Sequence, residues 1–349
     1  MKTIYPIVMN KQFEKICLID DYVSLIWTSR YYSCGDFELC LDVNDKTKTM
    51  IQRGYYIMRD DDEHVGIVED ISIQHNEDAS DLIVIKGRFL SSILGRRIIA
   101  KMTQVYGTPQ ACLQTLINQN AINPEISARR ISNLTFTSNV NLTEVIRRQF
   151  TGDNLLEVIE EMCMAYGIGF KTLLTDDHDF AFQLYQGTDR SYDQNVNPYV
   201  VFSDVYENLQ SAEYEENYMN VVTDVLVAGE GQGLDRKTVW VDDGGKTGIN
   251  RYELYEDARN ASTNNGEISD AVYYEQLREE GKESLAQFTQ LFTGTVYFTN
   301  VEYGKDVHLG DICVIENSRW GIAINSRLIE VIESVSESGE YSILPTFGI

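Results

Sequence analysis

The sequence predicts an α+β chain with two β-barrel-like domains and an α/β domain between them. Three observations carry that prediction. Residues 1 to about 95 are a series of short strand-like runs, evenly spaced and separated by turn residues. The stretch from Asp153 to Ser191 reads as one amphipathic helix followed by a hairpin. From Tyr199 the chain returns to strand-like runs, interrupted by one long helix.

The first domain, residues 1–95, has strand-like runs at Ile4 to Met9, Glu14 to Ile19 and Ser24 to Ser29. Tyr31 to Leu41 then places a glycine turn at Gly35 ahead of strict apolar–polar alternation. Tyr55 to Arg59 and Val65 to Ile73 flank the acidic turn Asp60-Asp61-Asp62-Glu63 as a hairpin, and Leu82 to Gly87 completes the set.

The α/β domain spans residues 96–198, with helices near 109–119 and 154–166 plus a hairpin. Thr108-Pro109 is a helix start, with proline at the first helical position and Cys112, Leu113, Leu116 and Ile117 on one face. In the second helix Leu155, Leu156, Val158, Ile159, Met162, Ala165 and Tyr166 line one side, and Glu157, Glu160 and Glu161 the other. Asp153 or Asn154 caps its start and Gly167 ends it. Strands Phe170 to Thr175 and Phe180 to Gln186 follow, joined by Asp176-Asp177-His178-Asp179, and Gly187 to Ser191 closes the unit.

Residues 199–349 form the second barrel-like domain, with an inserted helix near 269–292. Expected strands are Tyr199 to Ser203, Asn220 to Gly229 and Lys237 to Asp242, followed by a polar loop from Arg251 to Asp270. Tyr273, Leu277, Leu285, Phe288, Leu291 and Phe292 mark the apolar side of the helix. The last strands are Thr295 to Thr299, Asp311 to Glu316, Trp320 to Ile324, Leu328 to Val335 and Tyr341 to Leu344.

Composition narrows the function. Apolar residues make up 43% of the 349, which excludes general disorder. A formal charge of −25 argues against gripping nucleic acid, yet suits a lumen that phosphate slides past without sticking. The six cysteines (Cys17, Cys34, Cys40, Cys112, Cys163, Cys313) show no paired spacing and read as free thiols made in a reducing cytoplasm. The N-terminus has too short an apolar run for a signal peptide, and no segment approaches the ~20 apolar residues of a membrane span. The 21 tyrosines suit half-buried sheet faces and subunit contacts.

No constellation points to catalysis. His64, His75, His178 and His308 are isolated, so they form no zinc site, and no GxSxG motif occurs. The acidic clusters Asp60-Asp61-Asp62, Asp176-Asp177 and Asp242-Asp243 read as solvated hairpin tips. Gly229-Glu230-Gly231-Gln232-Gly233 follows a strand but leads into another strand rather than a helix, so it reads as a flexible hairpin and not a phosphate loop. No catalytic, cofactor-binding or metal-binding residue is assigned.

Several short signatures nevertheless occur in a defined order. They are Gly87-Arg88 to Arg96-Arg97, Gly187-Thr188-Asp189-Arg190-Ser191, Val201-Phe202-Ser203 with Asn208-Leu209, and Asn220-Val221-Val222 into Gly229-Glu230-Gly231. Leu309-Gly310-Asp311-Ile312 and Pro345-Thr346-Phe347-Gly348 complete the series. The set resembles the baseplate hub, or tail-associated tail tip, family of long-tailed phages and prophages, the siphophage Gp37-like tail proteins. The resemblance implies a phage tail hub architecture and a homotrimer whose barrel-like domains build a pseudo-sixfold ring. It implies the distal tail protein, the tail tube and the tape measure protein as neighbours, with DNA passing through the ring without specific binding. It places the protein in the virion at the tail tip, made in the bacterial host cytoplasm, with a structural and non-enzymatic role. Many relatives carry a C-terminal hydrolase or receptor-binding module. The chain stops at Ile349, so such activity is expected on another polypeptide. Two rival readings are a tail-associated cell-wall hydrolase working through paired carboxylates, and a carbohydrate-binding adhesin that stacks sugars on its tyrosine-rich strands.

Overall fold

In a computed structural model, the structure describes residues 4–75, 81–215, 222–242, 244–286, 291–296 and 301–348. The chain begins with β1 (Ile7–Met9), β2 (Lys15–Leu18), β3 (Ser24–Arg30) and β4 (Asp36–Asp42), then a single helical turn, α1 (Thr47–Met50). β5 (Tyr56–Met58), β6 (Val65–Gln74) and β7 (Leu82–Phe89) follow, and then β8 (Thr103–Gly107), α2 (Pro109–Ile117), β9 (Leu134–Ser138), β10 (Ile146–Phe150) and α3 (Leu155–Ala165). Next come β11 (Gly169–Leu174), β12 (Phe180–Tyr185), β13 (Val201–Ser203), β14 (Leu209–Glu215), β15 (Asp224–Ala228), β16 (Thr238–Asp242) and β17 (Glu253–Asp257). α4 (Asp270–Ala286), β18 (Leu291–Val296), β19 (Ile312–Asn317), β20 (Ile322–Val335) and β21 (Tyr341–Gly348) complete it.

These elements pack into two units, each assembled from separated stretches of chain. The first contains residues 1–92, 170–214 and 291–349, and the second residues 93–169 and 215–290.

Alternation builds the first unit. In β3, Leu25 and Trp27 point inward while Ile26 is exposed, and in β4 Phe37, Leu39 and Leu41 repeat the period of two. These side chains join Ile57, Ile85 and Phe89 in one core. Tyr31, Phe202, Val307, Cys313, Leu328, Val331 and Phe347 form a second. The strand β20 serves both, since its Leu328 and Val331 lie in the second core and its Val335 in the first.

Barrel closure, expected twice from the sequence, is not found among the described residues. The strands instead share one open 13-stranded sheet whose main path runs β14-β18-β21-β20-β3-β4-β7-β6-β5-β1-β2. The reason is the length of β20. Residues 322–327 pair with β19, whereas Glu330 to Val335 pair with Arg30 to Leu25 of β3, so one strand continues the sheet from one core to the other.

In the second unit β8 and β10 pair antiparallel, and β15 lies between antiparallel β16 and parallel β17. Val225, Val227, Tyr273 and Leu277 pack α4 against that three-stranded sheet. At the start of α3, Asn154 Oδ1 accepts the Leu156 N–H at 3.0 Å, while Asp153 accepts the Thr151 N–H at 2.8 Å instead. Of the two candidate caps, Asn154 is the one used.

Several elements differ from expectation. The polar loop from Arg251 to Asp270 contains β17, whose exposed Glu253, Tyr255 and Asp257 alternate with half-buried Leu254 and Glu256. Strands β8, β9 and β10 were not expected from the sequence. The helix predicted to reach Phe292 is described to Ala286, with residues 287–290 outside the described set. Leu291 and Phe292 already pair with Gly348 and Phe347 in β18 and β21, a partner almost 60 residues away that local periodicity cannot register. The expected strand stretches 220–221 and 297–299, and Asp243 of the acidic pair, also lie outside the described residues.

Candidate functional site

Two of the ordered signatures meet as a structural junction within the first unit. Gly187-Thr188-Asp189-Arg190 lies alongside Gly310-Asp311-Ile312. Asp311 is buried, and its carboxylate accepts the Thr188 N–H at 2.7 Å, the Arg190 Nε–H at 2.7 Å and the His308 N–H at 3.0 Å. Ile312 N–H donates to Thr188 O and Arg190 N–H to Ile312 O, so the backbones pair as well. The approach explains the glycines. A Cβ on Gly187 would lie 1.9 Å from Gly310 O, and one on Gly310, at φ +93°, would lie 2.2 Å from the Tyr31 ring. Tyr31 is fully buried, and its hydroxyl accepts the Gly187 N–H at 3.2 Å. Arg327 donates to Gly310 O at 2.7 Å and stacks its guanidinium over Tyr31.

The Val201-Phe202-Ser203 signature is β13, parallel to β19. The buried Asn208 side chain clamps it, accepting the Ser203 N–H and donating to Val201 O, both at 2.8 Å. In the second unit Gly229-Glu230-Gly231 is not the free hairpin its composition implies. Glu230 accepts hydrogen bonds from Thr263 N–H at 2.7 Å and Thr263 Oγ1 at 2.6 Å, and pairs with Lys237 at 3.0 Å. Burial opposes ionisation of Glu230, but these partners outweigh it and hold the carboxyl down at about 2.

Two buried arginines escape sequence reasoning. Arg59, in the first unit, is 1% exposed and forms two 3.0 Å hydrogen bonds to Glu333 and two more, at 2.9 and 2.8 Å, to Asp61. Tyr341 donates to Glu333 at 2.6 Å, completing a paired and hydrogen-bonded interior network. Arg148, in the second unit, projects from β10 among carboxylates, with Nη1 2.5 Å from Glu283 and Nη2 3.6 Å from Glu280. The adjoining cavity, about 220 Å³, is lined by Arg148 together with Asp153, Glu157, Glu161, Glu256, Asp257 and Glu280. Burial pushes Glu283 up to about 7 against the pull of Arg148, and it also raises Glu280 and Glu161. The faint sequence signal for this cluster is Ile146-Arg147-Arg148-Gln149-Phe150, where arginines interrupt an otherwise strand-like run.

Chemically, this arrangement holds buried charge of both signs. The histidines remain apart, with His64 on Asp62, His75 on Asp81 and His178 against Phe13. Among the described residues no group of three or more His, Cys, Asp or Glu is placed to hold a metal ion. All six cysteines are free, and burial raises the thiols of Cys112, to about 11, and of Cys163, away from the reactive thiolate. No helix among the described residues is long and apolar enough to cross a membrane.

The fold that carries these junctions is the one found in phage and prophage tail proteins. The chain superposes on the tail protein from Neisseria meningitidis MC58 with a TM-score of 0.59 and 14% identity, covering 100% of this chain and 97% of that one. It superposes on the 43 kDa tail protein of prophage MuSo2 from Shewanella oneidensis with a TM-score of 0.59 and 14% identity, covering 98% of each. Against prophage tail protein gp18 from Listeria monocytogenes EGD-e the TM-score is 0.55 at 11% identity, covering 99% of this chain and 94% of that one. The chain belongs to the Siphovirus ReqiPepy6 Gp37-like protein family, whose model matches residues 5–349. No curated protein matches the sequence.

Proposed function

We propose that this chain is a structural component of a phage or prophage tail tip or baseplate hub. Three copies form a ring that joins the tail tube and distal tail ring to the tip and gates DNA passage. Membership of the family over residues 5–349 carries the reading. The net charge of −25 supports it, because an acidic lumen repels phosphate and lets DNA slide. The proposed partners are two further copies, the distal tail protein, the tail tube and the tape measure protein, and the proposed location is the virion tail tip. The division at residues 95 and 198 belongs to the same proposal. The two separate cores of the first unit support it, one drawn mainly from residues 4–89 and the other mainly from 200–209 and 301–347.

Light scattering across a concentration series tests the ring. A mass three times 39.8 kDa is the expected result. A monomer at every concentration that also releases peptidoglycan fragments would overturn it in favour of a hydrolase.

One observation favours the adhesin reading. Tyr192 and Tyr199 are each 51% exposed, pack edge to face at 5.4 Å, and leave ring surface free for stacking on a sugar. Binding of host cell-wall polysaccharide that disappears in Tyr192→Ala is the result that would establish it.

A further inference from the structure

The loop between β17 and α4 turns on three successive residues in the left-handed region: Asn264 at φ +51°, Asn265 at +57° and Gly266 at +89°. Asparagine and glycine are the residues that tolerate this conformation, which is the physical reason they stand together here. The same choice creates the single Asn-Gly pair of the chain. Asn265 and Gly266 are both exposed, and a Cβ on Gly266 would meet no atom within 4 Å, so no neighbour crowds the link between them. The Gly266 N–H donates to Thr263 O at 3.1 Å, a bond at an exposed turn, where local opening costs little.

We propose that Asn265-Gly266 is a self-modifying site, at which the asparagine converts to isoaspartate or aspartate and loosens the loop that clips Glu230. The Gly266 nitrogen attacks Cγ of the Asn265 side chain. A nitrogen–carbon bond forms, closing a five-membered imide, and the bond from Cγ to Nδ2 breaks. The departing amide nitrogen takes the Gly266 proton and leaves as ammonia. Water then opens the imide at either carbonyl, and one new carboxylate remains. Glycine favours the attack because it has no Cβ to obstruct the approach. Base favours it because the peptide nitrogen reacts deprotonated.

The loop carries the consequence to the rest of the second unit. Thr263 gives its N–H and its hydroxyl to Glu230 at 2.7 and 2.6 Å, and Ser262 adds its hydroxyl at 3.2 Å. Thr263 O also accepts the Ile268 N–H at 3.0 Å, and Asn264 O accepts the Glu267 N–H at 3.3 Å. Isoaspartate routes the main chain through the former side chain and lengthens it by one methylene group, so these short-range bonds cannot all be kept. The new carboxylate also stands two positions from Glu267, where the charge is already negative.

The test stores the purified full chain at mildly alkaline pH and maps its peptides by mass at intervals. The expected result is a gain of one mass unit in the peptide holding residues 264–266, faster as pH rises, with isoaspartate registered by isoaspartyl methyltransferase. Gly266→Ala is expected to slow the gain by an order of magnitude. Asn265→Gln, which closes no five-membered ring, carries the test if Gly266→Ala fails to fold. The aged wild type is expected to melt a few degrees below the fresh protein. Asn265→Asp, which adds the charge without lengthening the backbone, is expected to lose less. Asn265 still intact after storage, whether or not Asn317 and Asn325 (each followed by serine) have reacted, overturns the site. A modified chain with an unchanged melting temperature overturns the loosening of the Glu230 clip.

Discussion

Arg59 and Glu333 lie 274 positions apart in the chain and meet in the interior through two hydrogen bonds of 3.0 Å, with both side chains at or below 5% exposure. The pair sits where β20 pairs with β3, which brings strands from the two ends of the chain side by side in the first unit. It matters less as a source of net stability than as a condition on register. Sliding β20 by one residue would turn Glu333 to the opposite face and strand the Arg59 charge.

Removing one partner should therefore cost far more than removing both. Glu333→Leu is expected to destabilise the protein by about 3 kcal/mol, because Arg59 keeps Asp61 but loses its fully buried partner. Arg59→Met combined with Glu333→Leu should recover a large part of that loss. Urea unfolding of the two single variants and the double variant measures the coupling, and simple additivity would contradict it.

The glycine junction makes a steric prediction. Gly187→Ala places a methyl group 1.9 Å from a backbone oxygen that cannot move without breaking the Asp311 contacts. A loss of about 2–4 kcal/mol follows. Gly244→Ala is the control, since its φ of +81° carries strain but no atom lies within 4 Å of the new Cβ, so about 1 kcal/mol is expected. Melting temperatures of the two variants should separate clearly.

Glu283 makes a prediction about pH. Its folded value is raised to about 7 from an ordinary 4.5, so its contribution to stability is fully present below pH 4.5 and lost as pH rises through about 7. The groups facing it are Arg148 from β10, Cys112 from α2, Glu279 and Glu280 from α4, and Glu161 and Tyr166 near the end of α3. Glu283→Gln should gain on the wild type between pH 4.5 and 7 and hold a constant difference above. Denaturant midpoints measured across that range supply the comparison, and a flat difference would refute the assignment.

Glu230 predicts the opposite slope. With its carboxyl held at about 2 rather than 4.5, its contribution is present above pH 4.5 and lost as pH falls through about 2. Glu230→Gln should be less stable than the wild type by about 1–3 kcal/mol at neutral pH. That deficit should shrink below pH 4.5. The same midpoint series checks both residues.

Local chemistry was legible wherever one element explains itself. The helix at 155–165 showed its apolar face and its asparagine cap, and the hairpin after it showed its turn. The strand β10 did not show, because Arg147 and Arg148 look like surface residues until α4 supplies Glu275, Glu280 and Glu283. The segment Gly229–Gly231 looked loose for the same reason: Thr263, which ties it down, is more than thirty residues away. The signatures Gly187–Ser191 and Leu309–Ile312 were visible as patterns, but their meaning as two halves of one junction was not.

By itself the sequence determined the alternation that makes strands, the period that makes helices, the acidic charge, and the ordered signatures that mark the family. These depend on neighbours within a few residues, or on sums over the whole chain. Tertiary structure alone decided that β20 joins two cores in one open sheet, that Arg59 finds Glu333 and Arg148 finds Glu283, and which strands are left at the edges. Each of those outcomes rests on contacts between residues more than a hundred positions apart, or on the order of strands in the sheet. The energy of such contacts comes from burial and desolvation, which no local pattern encodes.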